Sequence, residues 1–211
     1  PGTRGYATAL SDAANIYSER GDPVQQRRLN ERALAVYAAA PDRNDADVQV
    51  VLGNYARNLE LLGEFEPAQD AYTRAEDLAR HTHGAQDQRY WLTLAYHARM
   101  LHRRGERTRA LELFRQMNAA IPPDLDASNR GAWARGLYAG CLAAEGRAAD
   151  AIPLLEATLA KFIEQDYTRS IAVWRLALGD AYDLAGRAGE ARVMLGAALE
   201  QTLAEDGPDS P

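Results

Sequence analysis

The side chains best suited to chemistry in this sequence are amides and guanidiniums, not catalytic groups. Asn15, Asn54 and Asn58 carry amides that both donate and accept, so they can bond the backbone of an extended peptide. Arg57, Arg99 and Arg103 offer guanidiniums that suit a carboxylate or phosphate. Tyr96 and Trp133 offer flat walls, and Gly136, Gly140, Ala143 and Ala144 leave room for a ligand side chain or for close helix packing. The remaining reactive residues read as structural. His81 and His83 lack a third nearby ligand for zinc and stand at a helix end, where positive charge is favoured. His97 falls on a packed face and needs a hydrogen-bond partner there. Cys141 is the single cysteine, so a disulfide framework is impossible. There is no phosphate-cradling glycine loop, no HExxH, no GxSxG and no CxxC. The expectation is a protein that is not an enzyme and takes no metal and no cofactor.

The elements that position these residues come from a repeat. In Leu52 to Arg80, Leu52, Tyr55, Ala56 and Leu59 fall on one helical face, and Ala68, Ala71, Tyr72 and Ala75 on another. Gly63 between them predicts a tight turn that folds the second helix onto the first. The pattern recurs at Gly21, Gly63, Gly105, Gly146 and Gly186, at spacings of 42, 42, 41 and 40 residues. Seven residues before each glycine stand Ala14, Ala56, Ala98, Ala139 and Gly179; nine after stand Asn30, Tyr72, Phe114, Leu155 and Leu195. Small residues at crossings with large apolar ones between them describe a stack of helical hairpins. Repeats are expected over about 5–41, 45–83, 87–122, 127–164 and 167–204, as a single solenoid over 1–204 with a disordered acidic tail at 205–211. Asp45 is expected to cap the third helix, and Pro122-Pro123 to break the chain after the sixth. Gln26 and Asn30 replace Ala and a large apolar residue, which marks the first repeat as the most degraded.

On these residues the chain resembles the tetratricopeptide repeat family. The period near 42 and Arg32-Ala33-Leu34 are similar to its kinesin-light-chain-like branch. The resemblance implies an all-α, right-handed α-solenoid of five hairpins that binds proteins or peptides. It implies that the first helix of each repeat lines the concave side. By the family's carboxylate clamp, Asn15 and Asn54 match the two asparagines, but Ser11, Leu92 and Tyr96 replace the cations, so the clamp itself is not expected. The branch also occurs in bacterial regulatory proteins, including domains attached to Ser/Thr kinases and transcription regulators.

The net charge is −6 and no Lys/Arg run exceeds two residues, which argues against a nucleic-acid partner. Arg outnumbers Lys by 23 to one, a composition pointing to a GC-rich, bacterial source. No apolar run or signal peptide marks a membrane or secreted protein, so a cytoplasmic location is expected. The chain opens on Pro1-Gly2-Thr3 without Met and reads as part of something longer. The expected function is a peptide- or protein-binding module using the concave groove. The alternatives are self-association as a homodimer, through Val193 and Met194 on the last helix, and a regulatory domain of a kinase or transcription regulator.

Overall fold

The computed structural model describes residues 3–121 and 128–206. Among the described residues the chain is ten α-helices: α1 (Arg4–Glu19), α2 (Pro23–Ala39), α3 (Asp45–Leu61), α4 (Phe65–His83), α5 (Gln88–Arg103), α6 (Arg107–Ala120), α7 (Asn129–Ala144), α8 (Ala148–Glu164), α9 (Thr168–Leu184) and α10 (Ala188–Asp206). Odd- and even-numbered helices pair into hairpins. The helices cluster into two compact units, Pro1–Ala120 and Ile121–Pro211. Within the first, α2 packs on α3 and α4 on α5; within the second, α8 packs on α9. This is the all-α architecture of a hairpin solenoid.

Every hairpin closes the same way. Three residues separate its two helices, and the turn glycine takes a left-handed φ between 69° and 83°. That conformation is strained for a residue with a Cβ and free for glycine. At Gly63 the glycine N–H donates to the Glu60 carbonyl (3.1 Å), and the Glu64 N–H reaches back to Leu59 (2.9 Å). The two bonds satisfy carbonyls that the helix end would otherwise leave open. Asp166 closes the α8–α9 junction with the same pair of bonds, at φ 54° and without a glycine.

Ala14, Ala56, Ala98 and Ala139 are fully buried where helices cross. At Gly179 an added methyl would lie 2.7 Å from Leu195, so the small residue is required there. The second unit is filled by an aromatic group: the Trp133 ring meets Trp174 edge-on at 4.9 Å and Phe162 at 5.7 Å. In the first hairpin, Asn30 is fully buried and neither polar atom of its amide has a partner among the described residues. An unmade pair of this kind costs about 1–3 kcal/mol, which gives the degraded first repeat a physical meaning.

Two local expectations are corrected. The cap of α3 is Asn44, whose side chain accepts from the N–H groups of Ala46 (2.9 Å) and Asp47 (3.3 Å). Asp45 is already helical, and its carboxylate takes Arg43 instead. Helix α10 also continues to Asp206, two residues into the expected tail. The Pro122-Pro123 break and residues 207–211 lie outside the described residues.

Asp87 caps α5, accepting from the Arg89 N–H at 2.8 Å. The Arg89 guanidinium, bonded to both carboxylate oxygens, holds the Asp87 pKa at about 2 against an ordinary 3.8. A depressed carboxylate contributes stability above its unfolded pKa and loses it as pH falls towards its folded one. Asp87→Asn keeps a capping amide but cannot titrate. In urea titrations the variant is expected to be about 1–2 kcal/mol less stable than wild type at pH 6. The gap should close as pH falls from about 4 to 2. A gap that stays constant with pH would refute the assignment.

Candidate partner-binding face

The turn fixes each first helix in register, so residues at equal distances before the turn glycine share a face. Asn15, Arg57 and Arg99 stand six residues before it, Asn54 and Tyr96 nine, Glu60 three and Arg103 two. All lie on α1, α3 and α5 of the first unit.

There they form one chain of contacts. The Asn54 amide donates to Asn15 Oδ1 (3.1 Å) and accepts from the Arg57 guanidinium (2.7 Å). Arg57 also donates to the Tyr96 hydroxyl (3.3 Å), and its guanidinium lies 4.9 Å from the centre of the Tyr96 ring. Arg99 lies 5.2 Å from the centre of the same ring, so two cations are drawn to its π-system. Arg99 and Arg103 then converge on Glu60, donating to its two oxygens at 3.0 and 2.9 Å.

Glu60 is the residue that sequence reasoning missed. It stands on the face that carries the arginines, yet it is only 2 % exposed. It also accepts from the Tyr72 hydroxyl at 3.1 Å. Burial first, then the Glu60 charge, push the Tyr72 phenol well above its ordinary pKa of 10. The available signal was a lone acid on a face that otherwise collects arginines from adjacent repeats.

Internal pairing changes the meaning of the basic strip. Arg99 and Arg103 are already engaged by a carboxylate of the protein itself. Arg57 is exposed, and its hydrogen bonds go to neutral groups, Asn54 and Tyr96. Three guanidiniums against one carboxylate leave the cluster positive, with Arg57 as the cation that a ligand's acid reaches without displacing one from the protein.

Other expected site residues fall elsewhere. Asn58 is a correction: it is buried, and its amide donates to the Pro23 carbonyl and Gln26 Oε1, both at 3.0 Å. Five residues before the turn glycine, it faces the preceding hairpin and tethers α3 to α2. Trp133 belongs to the second unit, where its ring is held among Trp174 and Phe162 instead of walling an open space. Two of the three glycines of α7, Gly136 and Gly140, differ. A methyl added at Gly136 would lie 2.4 Å from the Trp174 ring, whereas nothing stands within 4 Å of one at Gly140. On α10, Val193 is exposed, and Met194 is half-buried against the core of the second unit. His97 is a core residue: its Nδ1 lies 2.7 Å from Glu76 Oε1, and its ring stacks on Tyr72 at 5.4 Å.

Among the described residues, no three His, Cys, Asp or Glu side chains gather as a metal site would need. No described helix is long and apolar enough to cross a membrane.

Hairpins of constant turn, stacked within each unit and carrying a polar first-helix face, define a helical-repeat protein-interaction scaffold. Residues 5–81 match the model of the tetratricopeptide repeat, and the later hairpins are helix pairs closed by the same turn. The chain is similar in structure to BtubC (BKLC) from P. vanneervenii, with a TM-score of 0.70 and 16% identity over 97% of this chain and 82% of that one. It is also similar to a Podosopora anserina putative kinesin light chain with nearly identical TPR-like repeats. There the TM-score is 0.64 and the identity 18%, over 96% of this chain and 97% of that one. Both likenesses are of fold. No curated protein matches the chain.

Proposed function

We propose that the face built by α1, α3 and α5 binds an extended, acidic segment of a partner protein. The observation that carries this reading is Arg57, an exposed guanidinium with neutral hydrogen-bond partners, set between the Asn15–Asn54 amides and the Tyr96 ring. A partner's Asp or Glu side chain meets Arg57, and the amides meet its backbone. The module serves as an adaptor or regulatory domain of a larger cytoplasmic bacterial protein, of the kind attached to kinases and transcription regulators.

The test is a fluorescence-polarisation screen of a library of short acidic peptides, with charge-neutral peptides of matched length alongside. Arg57→Glu is expected to weaken the best acidic peptide at least tenfold, since charge reversal turns attraction into repulsion at a contact worth about 1.4 kcal/mol or more. The melting temperature should hardly move, because the side chain is exposed. Equal binding by wild type and Arg57→Glu, or no preference for acidic peptides, would overturn the reading.

A further inference from the structure

We propose that a groove between α2 and α4 seats one large apolar side chain of a partner protein's amphipathic helix, with an acid of that helix on Arg74 and a base on Asp77. The groove holds about 260 Å³. Its floor is Val48 and Leu52 of α3, and Leu34 and Tyr37 of α2 form its apolar wall. The opposite wall, on α4, carries Arg74 and Asp77. All of these residues belong to the first unit.

The register of the hairpins shows why this interval is open. Fifteen residues before the turn glycine stand Val48 on α3 and Tyr90 on α5; seventeen after it stand Ala38 on α2 and Arg80 on α4. Tyr90 is half-buried beside the charges of α4. Burial first, then the Glu76 charge, push its phenol above the ordinary value of 10, while Arg80 pulls the other way. The next interval thus has a long side chain at each of these two positions. Valine and alanine at the same places leave the α2–α4 interval open.

Size and charge select the occupant. The volume lies below the roughly 300–1,000 Å³ of small-molecule and cofactor sites, so it takes one large side chain. The walls are two helices, and a third helix laid between them presents such an anchor with polar residues three or four positions to either side. Arg74 and Asp77 are exposed, and three residues apart they stand about 4.5 Å apart along the α4 axis. Arg74 has one ion pair, with Asp70 at 3.8 Å, too long for a hydrogen bond. Asp77 has no hydrogen bond or ion pair among the described residues. Arg43, also at the rim, is already engaged by Asp45. The charges left to complement are therefore one cation and one anion, one helical turn apart.

This surface is separate from the α1, α3 and α5 face. Val48 and Arg57 are nine residues apart on α3, about two and a half helical turns, so they point to opposite sides. The module can therefore hold two partners at once.

A displayed library of short helices tests this against the full chain. Each helix carries a central Leu, Met, Phe or Trp, with Glu, Lys or Gln varied three and four residues to either side. The recovered helices are expected to carry an acid and a base. Ala38→Trp, at an exposed position, fills the groove and should weaken the best helix at least tenfold by fluorescence polarisation. If that variant loses the native helical spectrum, Val48→Tyr takes its place, with the residue α5 carries at that position. Arg74→Asp with Asp77→Arg keeps the net charge and should reverse the preference, so that the helix with its acid and base exchanged binds better. Helices whose affinity survives the filled groove overturn the proposal, as does a charge exchange that leaves the preference unchanged. A library that yields no binder overturns it too.

Discussion

Glu60→Ala is expected to destabilise the first unit by about 2–4 kcal/mol, more than any other single truncation on the partner-binding face. The carboxylate is almost wholly buried, and three donors converge on it: Arg99, Arg103 and the Tyr72 hydroxyl. Removing it leaves the Tyr72 hydroxyl unpaired in the core and two guanidiniums facing each other without a counter-charge. Arg99 and Arg103 reach solvent, with side chains 32% and 54% exposed, which holds the cost below that of a fully enclosed pair. A double-mutant cycle in urea separates the charge effect from the lost packing. In an Arg99→Leu, Arg103→Leu background, Glu60→Ala should cost at least 1 kcal/mol less than in wild type. Additive losses would mean that the arginines and the carboxylate are neighbours without being coupled.

The second large effect is a difference in sign between two glycines four residues apart on α7. Gly140→Ala should stabilise the protein by about 0.5–1 kcal/mol, because the methyl enters open space and the helix gains alanine's lower conformational cost. Gly136→Ala gains the same propensity but drives a methyl to 2.4 Å from the Trp174 ring. That ring cannot swing away freely, since Trp133 meets it edge-on and Phe162 stacks on it at 6.2 Å. Overpacking of this kind costs roughly 1–3 kcal/mol, so Gly136→Ala should be net destabilising by about 1–2 kcal/mol. Thermal melts of the two variants beside wild type should bracket it. Two stabilised variants would show that the Trp174 pocket yields, and that neither glycine is there for packing.

The hairpins were legible because turn chemistry and helical period are local. Five left-handed turns demand glycine, and a residue's angle around its helix follows from its distance to that glycine. The face was legible for the same reason: Asn15, Asn54, Arg57, Tyr96, Arg99 and Arg103 do share it. What a long polar side chain does on that face depends on partners one repeat away. Glu60 and Arg99 are 39 residues apart, and no single-helix pattern connects them. Asn58 shows the limit of the wheel itself. An amide at the margin of two faces serves a ligand or a neighbouring hairpin according to a few degrees of helix rotation, and here it took Pro23 and Gln26. Trp133 was misread because its packing partners, Phe162 and Trp174, come from two other helices. Asn44 displaced Asp45 as a cap by one position, the usual scale of error at a helix end.

The constancy of the hairpin turns separates what can drift from what cannot. Each turn has three residues and two fixed hydrogen bonds, so a one-residue insertion there would break both bonds and rotate a whole helix out of register. The segments between hairpins obey no such rule: α2 and α3 are joined through five residues, α4 and α5 through four, α8 and α9 through three. Length change therefore accumulates between hairpins, and a crossover placed there exchanges a complete helix pair with its closure intact. The heritable unit of this chain is the hairpin, and its period can slip from 42 to 40 residues without any turn changing length.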